Sequence, residues 1–143
     1  MIIAQIPWSP IDTNFITNVF WYSKLARDHN KSLMINIDWQ SNDRKGVRGN
    51  WGFSEVEIVN KFNADIKEVI STYKPEYLSL GVEVNYYALT EPKDYKEFIK
   101  LFNQLKEELI IISPNTDIGM SFQLELLYGS HKGWLKNNTV QAL

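Results

Sequence analysis

Four times along this 143-residue chain, a short run of alternating apolar residues gives way to a stretch with apolar residues at helical spacing. The runs are Ile2 to Trp8, Ser32 to Trp39, Tyr77 to Asn85 and Asp117 to Glu125. The first helical stretch carries Phe15, Val19, Tyr22 and Ala26 on one stripe and reaches about His29. The second carries Val59, Phe62, Ile66, Val69 and Tyr73, and the third Tyr95, Phe98, Phe102, Leu105 and Leu109. A fourth, short helix is expected around Trp134. Ser54 with Glu57 reads as a capping box for the second helix, and Asp94 with Glu97 as a weaker capping pair for the third. Strand and helix in strict alternation imply a parallel sheet with right-handed crossovers, an α/β fold.

The two faces of each strand narrow the choice further, because strand side chains alternate sides. In SLMINIDW, Leu33, Ile35 and Ile37 take one face, while Met34, Asn36 and Asp38 take the other. In YLSLGVEVN, Leu78, Leu80, Val82 and Val84 oppose Ser79, Gly81, Glu83 and Asn85. In DIGMSFQLE, Met120, Phe122 and Leu124 oppose Ser121, Gln123 and Glu125. Strands covered by helices on both sides read apolar on both faces. These do not: one face suits covering helices, and the other turns polar towards the strand exit. That pattern belongs to a sheet curled so that one face lines a barrel interior. A complete (β/α)8 barrel takes about 250 residues, so residues 1–143 read as a single partial barrel domain of about four strands.

Composition closes several other routes. The formal charge is −2, with no basic field to hold nucleic acid phosphates. Cys is absent, which removes disulfides and thiolate metal sites and leaves the compartment open. The start, MIIAQIPWSP, lacks the basic segment of a signal peptide, and no apolar run approaches the roughly 20 residues of a membrane helix. HExxH, phosphate-loop and nucleophile-elbow motifs are all missing. His29 and His131 read as surface residues. Neither a metal nor an organic cofactor is expected.

What remains is carboxylate and amide chemistry. Asp38, Glu83, Asn85, Gln123 and Glu125 end their strands on the inward face, so a curled sheet brings them to one mouth. Trp8, Trp39 and Trp51 fall at or just after strand ends, either as rim packing or as platforms for a flat ligand such as a sugar ring. The loop 40–53, with Asp43, Arg44, Lys45 and Arg48, is either functional or simply solvated. Paired carboxylates among Trp and Tyr best serve glycoside hydrolysis, in which a carboxyl raised in pKa by partial burial protonates the leaving oxygen. The competing reading of Glu83 is a buried structural acid bonded to a neighbouring strand.

The segment PEYLSLGVEVNYYALTEP resembles the fourth-strand region of clan-A glycoside hydrolases, retaining (β/α)8-barrel enzymes, and is most similar to the arabinogalactan endo-β-1,4-galactanase and endo-β-mannanase type. Their apolar-x-Gly-x-Glu motif is matched by Leu80-Gly81-Val82-Glu83. The resemblance implies that the four runs are barrel strands two to five and that Glu83 is the acid/base. Asn85, Asp38, Gln123, Trp8, Trp39 and Tyr86 are expected to surround the substrate beside it. Val82 stands where the family carries an Asn that contacts the sugar 2-hydroxyl. The family's nucleophile, a Glu on the seventh strand, is not expected within these residues. The alternatives are a small α/β domain that binds carbohydrate without turnover, and a structural interaction module. An open half-barrel leaves two sheet edges, so self-association through them is expected.

Overall fold

Row by row across the sheet, the residues sort as the alternation requires. In the computed structural model, which describes residues 1–128, β1 (Ile2–Pro7), β2 (Leu33–Asp38), β3 (Tyr77–Ser79) and β4 (Asp117–Gly119) form one all-parallel sheet in the order β1-β2-β3-β4. Ala4, Ile35, Leu78 and Ile118 pair side by side, and all four are buried. The adjacent row on the opposite face is Ile3, Met34, Tyr77 and Asp117, followed towards the strand exits by Gln5, Asn36, Ser79 and Gly119. That face is open at the first strand, where Ile3 is 62% exposed.

Helices α1 (Phe15–Asp28), α2 (Val56–Tyr73) and α4 (Pro92–Ile112) are amphipathic and turn their apolar stripes to the covered row. In α2 the buried stripe is Phe62, Ile66, Val69 and Ile70, ended by Lys74 in the left-handed region and then Pro75. In α4 it is Phe98, Leu101, Phe102, Leu105 and Leu109, with Pro92 in the first turn, where its missing N–H costs nothing. Strands in sequential order with every crossover of one hand place all connecting helices on the same side. The α/β class and the parallel alternation are as expected, and the architecture is a four-strand β/α repeat.

Three expectations need correction. The third strand does not run to Asn85: β3 stops at Ser79, and a short helix, α3 (Val84–Thr90), starts at Val84. Backbone bonds to the neighbouring chain continue through Leu80 N to Gly119 O and Ser121 N to Gly81 O, both at 2.9 Å, and the extended pattern breaks at Glu83, whose left-handed backbone (φ 51°, ψ 41°) leads into α3. Leu80 and Val82 are therefore buried from the segment after β3, and Val84 from the first turn of α3. The fourth strand also ends early, at Gly119, and Leu124–Leu127 form a helical turn, α5. Glu125 is therefore an exposed helical residue and not an inward strand residue.

The third correction concerns caps. Glu55, not Ser54, caps α2, and its carboxylate accepts from Gly52 N at 2.7 Å. Ser54 N instead donates to Asp94 Oδ1 at 3.3 Å, so Asp94 joins α4 to the loop before α2 and forms no capping pair with Glu97. The short helix expected around Trp134, and His131, lie outside the described residues. No helix among the described residues is long and apolar enough to cross a membrane.

Candidate active site at the strand exits

The C-terminal ends of parallel strands leave their loops on one rim, and the polar residues collect there. Asp38 closes β2 and is nearly fully buried. Its Oδ2 accepts from Gln5 Nε2 at 2.7 Å, and its Oδ1 accepts from Arg44 Nη1 at 2.6 Å. Arg48 Nη2 lies 3.3 Å from Oδ2, and Gln40 N donates to Oδ1 at 3.3 Å. A carboxylate enclosed to this degree is tolerable only because every lone-pair direction has a donor. Asp38 is thus the post to which the 40–53 loop is tied, and it offers no free oxygen to a ligand.

Arg44 extends from Asp38 to Glu83, with Nε 3.2 Å from Glu83 Oε2. Glu83 is the open member of the set: 34% of its side chain meets solvent, against 3% for Asp38. Both Arg44 (φ 62°) and Glu83 (φ 51°, ψ 41°) adopt the left-handed backbone region, which disfavours a side chain. Holding a non-glycine residue there costs on the order of 1–3 kcal/mol and is sustained only by surrounding contacts. At Glu83 these are Ser121 Oγ accepting from Glu83 N at 3.1 Å, and Val84 N and Tyr86 N donating to Ser121 O and Glu83 O at 3.0 Å. The carboxylate that this backbone carries meets Arg44 at the rim.

Asn85, expected beside Glu83 on a strand, sits in the first turn of α3 and is buried. Its amide exchanges two hydrogen bonds with the Gln123 backbone, which satisfies it and latches the β3 exit to the β4 exit. Gln123 is partly exposed, so its side chain remains at the rim. The three aromatics expected as substrate platforms belong to the interior. Trp8 and Trp39 have no exposed surface, and Tyr86 is buried. Trp8 Nε1 donates to Asp65 Oδ2 at 2.9 Å, and Trp39 Nε1 to Leu80 O at 2.9 Å, which discharges their polar atoms inside. Trp39 meets Phe53, Tyr87 and Phe98 at 4.8–5.0 Å between ring centroids. A ring whose two faces are already packed offers no stacking surface.

Trp51 is the strand-end Trp that stays at the surface. It is half-buried, edge-on to Trp8 and Phe53, and anchored by Nε1 donating to Arg48 O at 2.7 Å. It walls a cleft of about 600 Å³ together with Glu55, Tyr87, Glu91 and Asp94. Tyr87 OH donates to Asp94 Oδ2 at 2.7 Å, and burial first, then this bond, push its ionisation well above the usual tyrosine range. The loop is a folded structure: Gln40 and Val47 bridge antiparallel, and Gln40 Nε2 donates to Val82 O.

Sequence reasoning located Asp38 and Glu83 but missed that Arg44 joins them and that Arg48 also binds Asp38. The usable signal was two Arg residues, six and ten positions after an Asp that ends a strand on its inward face. Among the described residues, no three His, Asp or Glu side chains converge as a metal site requires. No family model, no curated protein and no solved structure matches the chain.

Proposed function

We propose that this chain supplies the acid/base portion of a retaining, clan-A-like glycoside hydrolase barrel acting on an oligosaccharide or polysaccharide. One observation carries the reading. Glu83 stands at the exit end of a parallel β/α sheet, partly open to solvent, on a strained backbone braced by Ser121 and an arginine. The residue is also the Glu of the apolar-x-Gly-x-Glu segment. In this role Glu83 protonates the glycosidic oxygen as the bond breaks and later takes a proton from the incoming water. Arg44 and the Asp38 post behind it orient the carboxylate. Ser121, bonded to the Glu83 backbone, and Gln123, held by Asn85, are partly exposed groups beside it for contacting the sugar. Asp38 is enclosed by its donors and does not serve as the nucleophile, which the family resemblance puts on a later strand.

A second reading, carbohydrate binding without turnover, draws on that same enclosure: retaining hydrolysis needs two carboxylates facing the sugar, and Asp38, the carboxylate that shares Arg44 with Glu83, is closed to one. The two are separated with Glu83→Gln in a preparation active on β-linked galactan or mannan. Turnover of the natural linkage should fall at least about 100-fold. An aryl glycoside with an activated leaving group should suffer much less in its first step, and azide should restore the second. Equal slowing of both substrates without rescue removes the acid/base role. Sugar binding with no turnover of any β-glycoside selects the second reading.

A further inference from the structure

The cleft walled by Trp51 takes no part in the acid/base chemistry assigned to Glu83. It lies between the loop at residues 46–52, Glu55 before α2, Tyr87 of α3, and Glu91 and Asp94 at the start of α4. All of its walls are internal to the chain, so its shape does not depend on the edges of the sheet.

Its aromatic wall is fixed in place. Trp51 Nε1 donates to Arg48 O at 2.7 Å, and Trp8 and Phe53 meet the ring nearly at right angles. A Cβ at Gly49 would lie 3.3 Å from Trp51 Cδ1, so the loop backbone closes on one edge of the ring. A ring held before any ligand arrives lowers the ordering cost of binding.

The rest of the lining is rich in acceptors. Glu55 Oε1 takes Gly52 N at 2.7 Å, and Asp94 takes Tyr87 OH at 2.7 Å and Ser54 N at 3.3 Å. An ionised carboxylate has about four lone-pair sites, so both keep acceptor capacity, and Glu91 is exposed beside them. The described residues that line the cleft include no Lys, Arg or His. Among the described residues, none of these three carboxylates joins an ion pair. Burial, the bond to Asp94 and the charges of Asp94 and Glu91 all push the Tyr87 phenol upward, so the negative field is felt inside the cleft. The carboxylates do not converge as a metal site requires.

A ligand for this cleft must bring hydrogen-bond donors, an apolar face for the indole and no negative charge. A neutral sugar ring has all three: hydroxyl donors, a C–H face and no ionised group. A uronate or a phosphorylated sugar meets like charge on three sides, which typically costs several kcal/mol when close.

We propose that this cleft binds a neutral sugar residue of a β-linked chain, with Trp51 as the stacking surface and Glu55, Glu91 and Asp94 as hydroxyl acceptors, and that it rejects acidic chains. The inference rests on the carbohydrate reading for its ligand class and adds a binding site and a charge preference to it. The same loop serves both places, since Arg44 reaches Glu83 and Trp51 walls the cleft.

The test is an NMR titration of the 143-residue chain, read at the Trp51 indole N–H, which Trp51→Phe identifies by its loss. The ligands are β-1,4-mannan and β-1,4-galactan oligosaccharides, and a β-1,4-mannuronan that differs from the mannan only in its C6 carboxylates. At least one neutral chain should shift the Trp51 signal saturably by about 10 mM. The mannuronan should bind at least about tenfold more weakly at low salt. Trp51→Ala should weaken neutral binding at least about tenfold, measured by calorimetry. Glu91→Lys alters an exposed side chain and should shrink the mannan-to-mannuronan ratio severalfold while keeping a cooperative thermal transition. Glu83→Gln should leave the Trp51 response unchanged, so a loss of turnover there and a loss of binding here are read separately. A Trp51 signal that neither neutral chain moves, equal binding of mannan and mannuronan, or a ratio unaltered by Glu91→Lys would overturn the inference. Saturable binding at Trp51 without turnover of any β-glycoside would leave it standing and remove the hydrolase reading.

Discussion

Asn85 and Gln123, 38 residues apart in sequence, exchange two hydrogen bonds: Asn85 Nδ2 donates to Gln123 O at 2.9 Å, and Gln123 N donates to Asn85 Oδ1 at 2.8 Å. A buried side-chain amide here does what a strand neighbour does within the sheet, and it does so just where β3 and β4 have stopped pairing. The rim geometry at Glu83 depends on it. Asn85→Ala strands two backbone groups and should cost about 2–3 kcal/mol in urea unfolding. Asn85→Asp keeps one bond and faces the other carbonyl with an oxygen, so it should be no milder. A loss under 0.5 kcal/mol for both would mean that the latch contributes little.

Gly81 is required for space, not for backbone conformation, since it is not among the residues of positive φ. A methyl there overlaps Val84 and crowds Phe98 and Trp39 Cζ2 at 3.1 and 3.2 Å. Gly81→Ala should destabilise by about 1–3 kcal/mol. Adding Val84→Ala removes the nearest obstacle, so the double variant should be more stable than the sum of the two single losses implies. Strict additivity of the two losses would show that the methyl clashes elsewhere.

Asp38→Ala leaves Arg44 and Arg48 without their shared carboxylate and Gln5 without its acceptor. Breaking a buried ion pair from one side typically costs about 3–5 kcal/mol. The arginines here are partly exposed, so the lower figure is the expected one. Amide exchange in the 40–53 loop should speed up at the same time. Unchanged loop exchange would mean that the Gln40–Val47 bridge and the Trp51 and Phe53 anchors hold the loop without Asp38.

Tyr87 makes the fold sensitive to alkali. Its folded pKa lies above the unfolded value because burial and the Asp94 carboxylate both oppose the phenolate. The contribution is therefore complete below about pH 10 and is lost as pH rises past that ordinary tyrosine value. The unfolding free energy from urea titrations should fall above pH 10, by up to about 1.4 kcal/mol per pH unit for each such group. Tyr95, also raised by burial, adds in the same direction. Tyr87→Phe should lower stability at pH 7 and flatten this alkaline slope. An identical slope in the variant would rule Tyr87 out as its source.

The β/α alternation, the parallel sheet and the covered face were all legible in the sequence. Apolar periodicity of two or of 3.6 is a local property that burial on one side imposes directly. Leu33, Ile35, Ile37 and the stripes of α2 and α4 went where their spacing placed them. The rim was not legible in that way. Whether Trp8 and Trp39 face solvent or core depends on what packs above the strand ends. Only the tertiary structure brings Phe53, Phe62 and Phe98 there from distant segments. Likewise, the strand pattern at Ser79 to Asn85 is broken by the left-handed turn at Glu83, which Ser121, 38 residues on, holds by accepting from Glu83 N. Asp38 becomes an enclosed post because a loop folds two arginines onto it. A residue's face follows from its neighbours in sequence, but its accessibility and partners follow from neighbours in space, and those decided which of the candidate groups stayed open at the mouth.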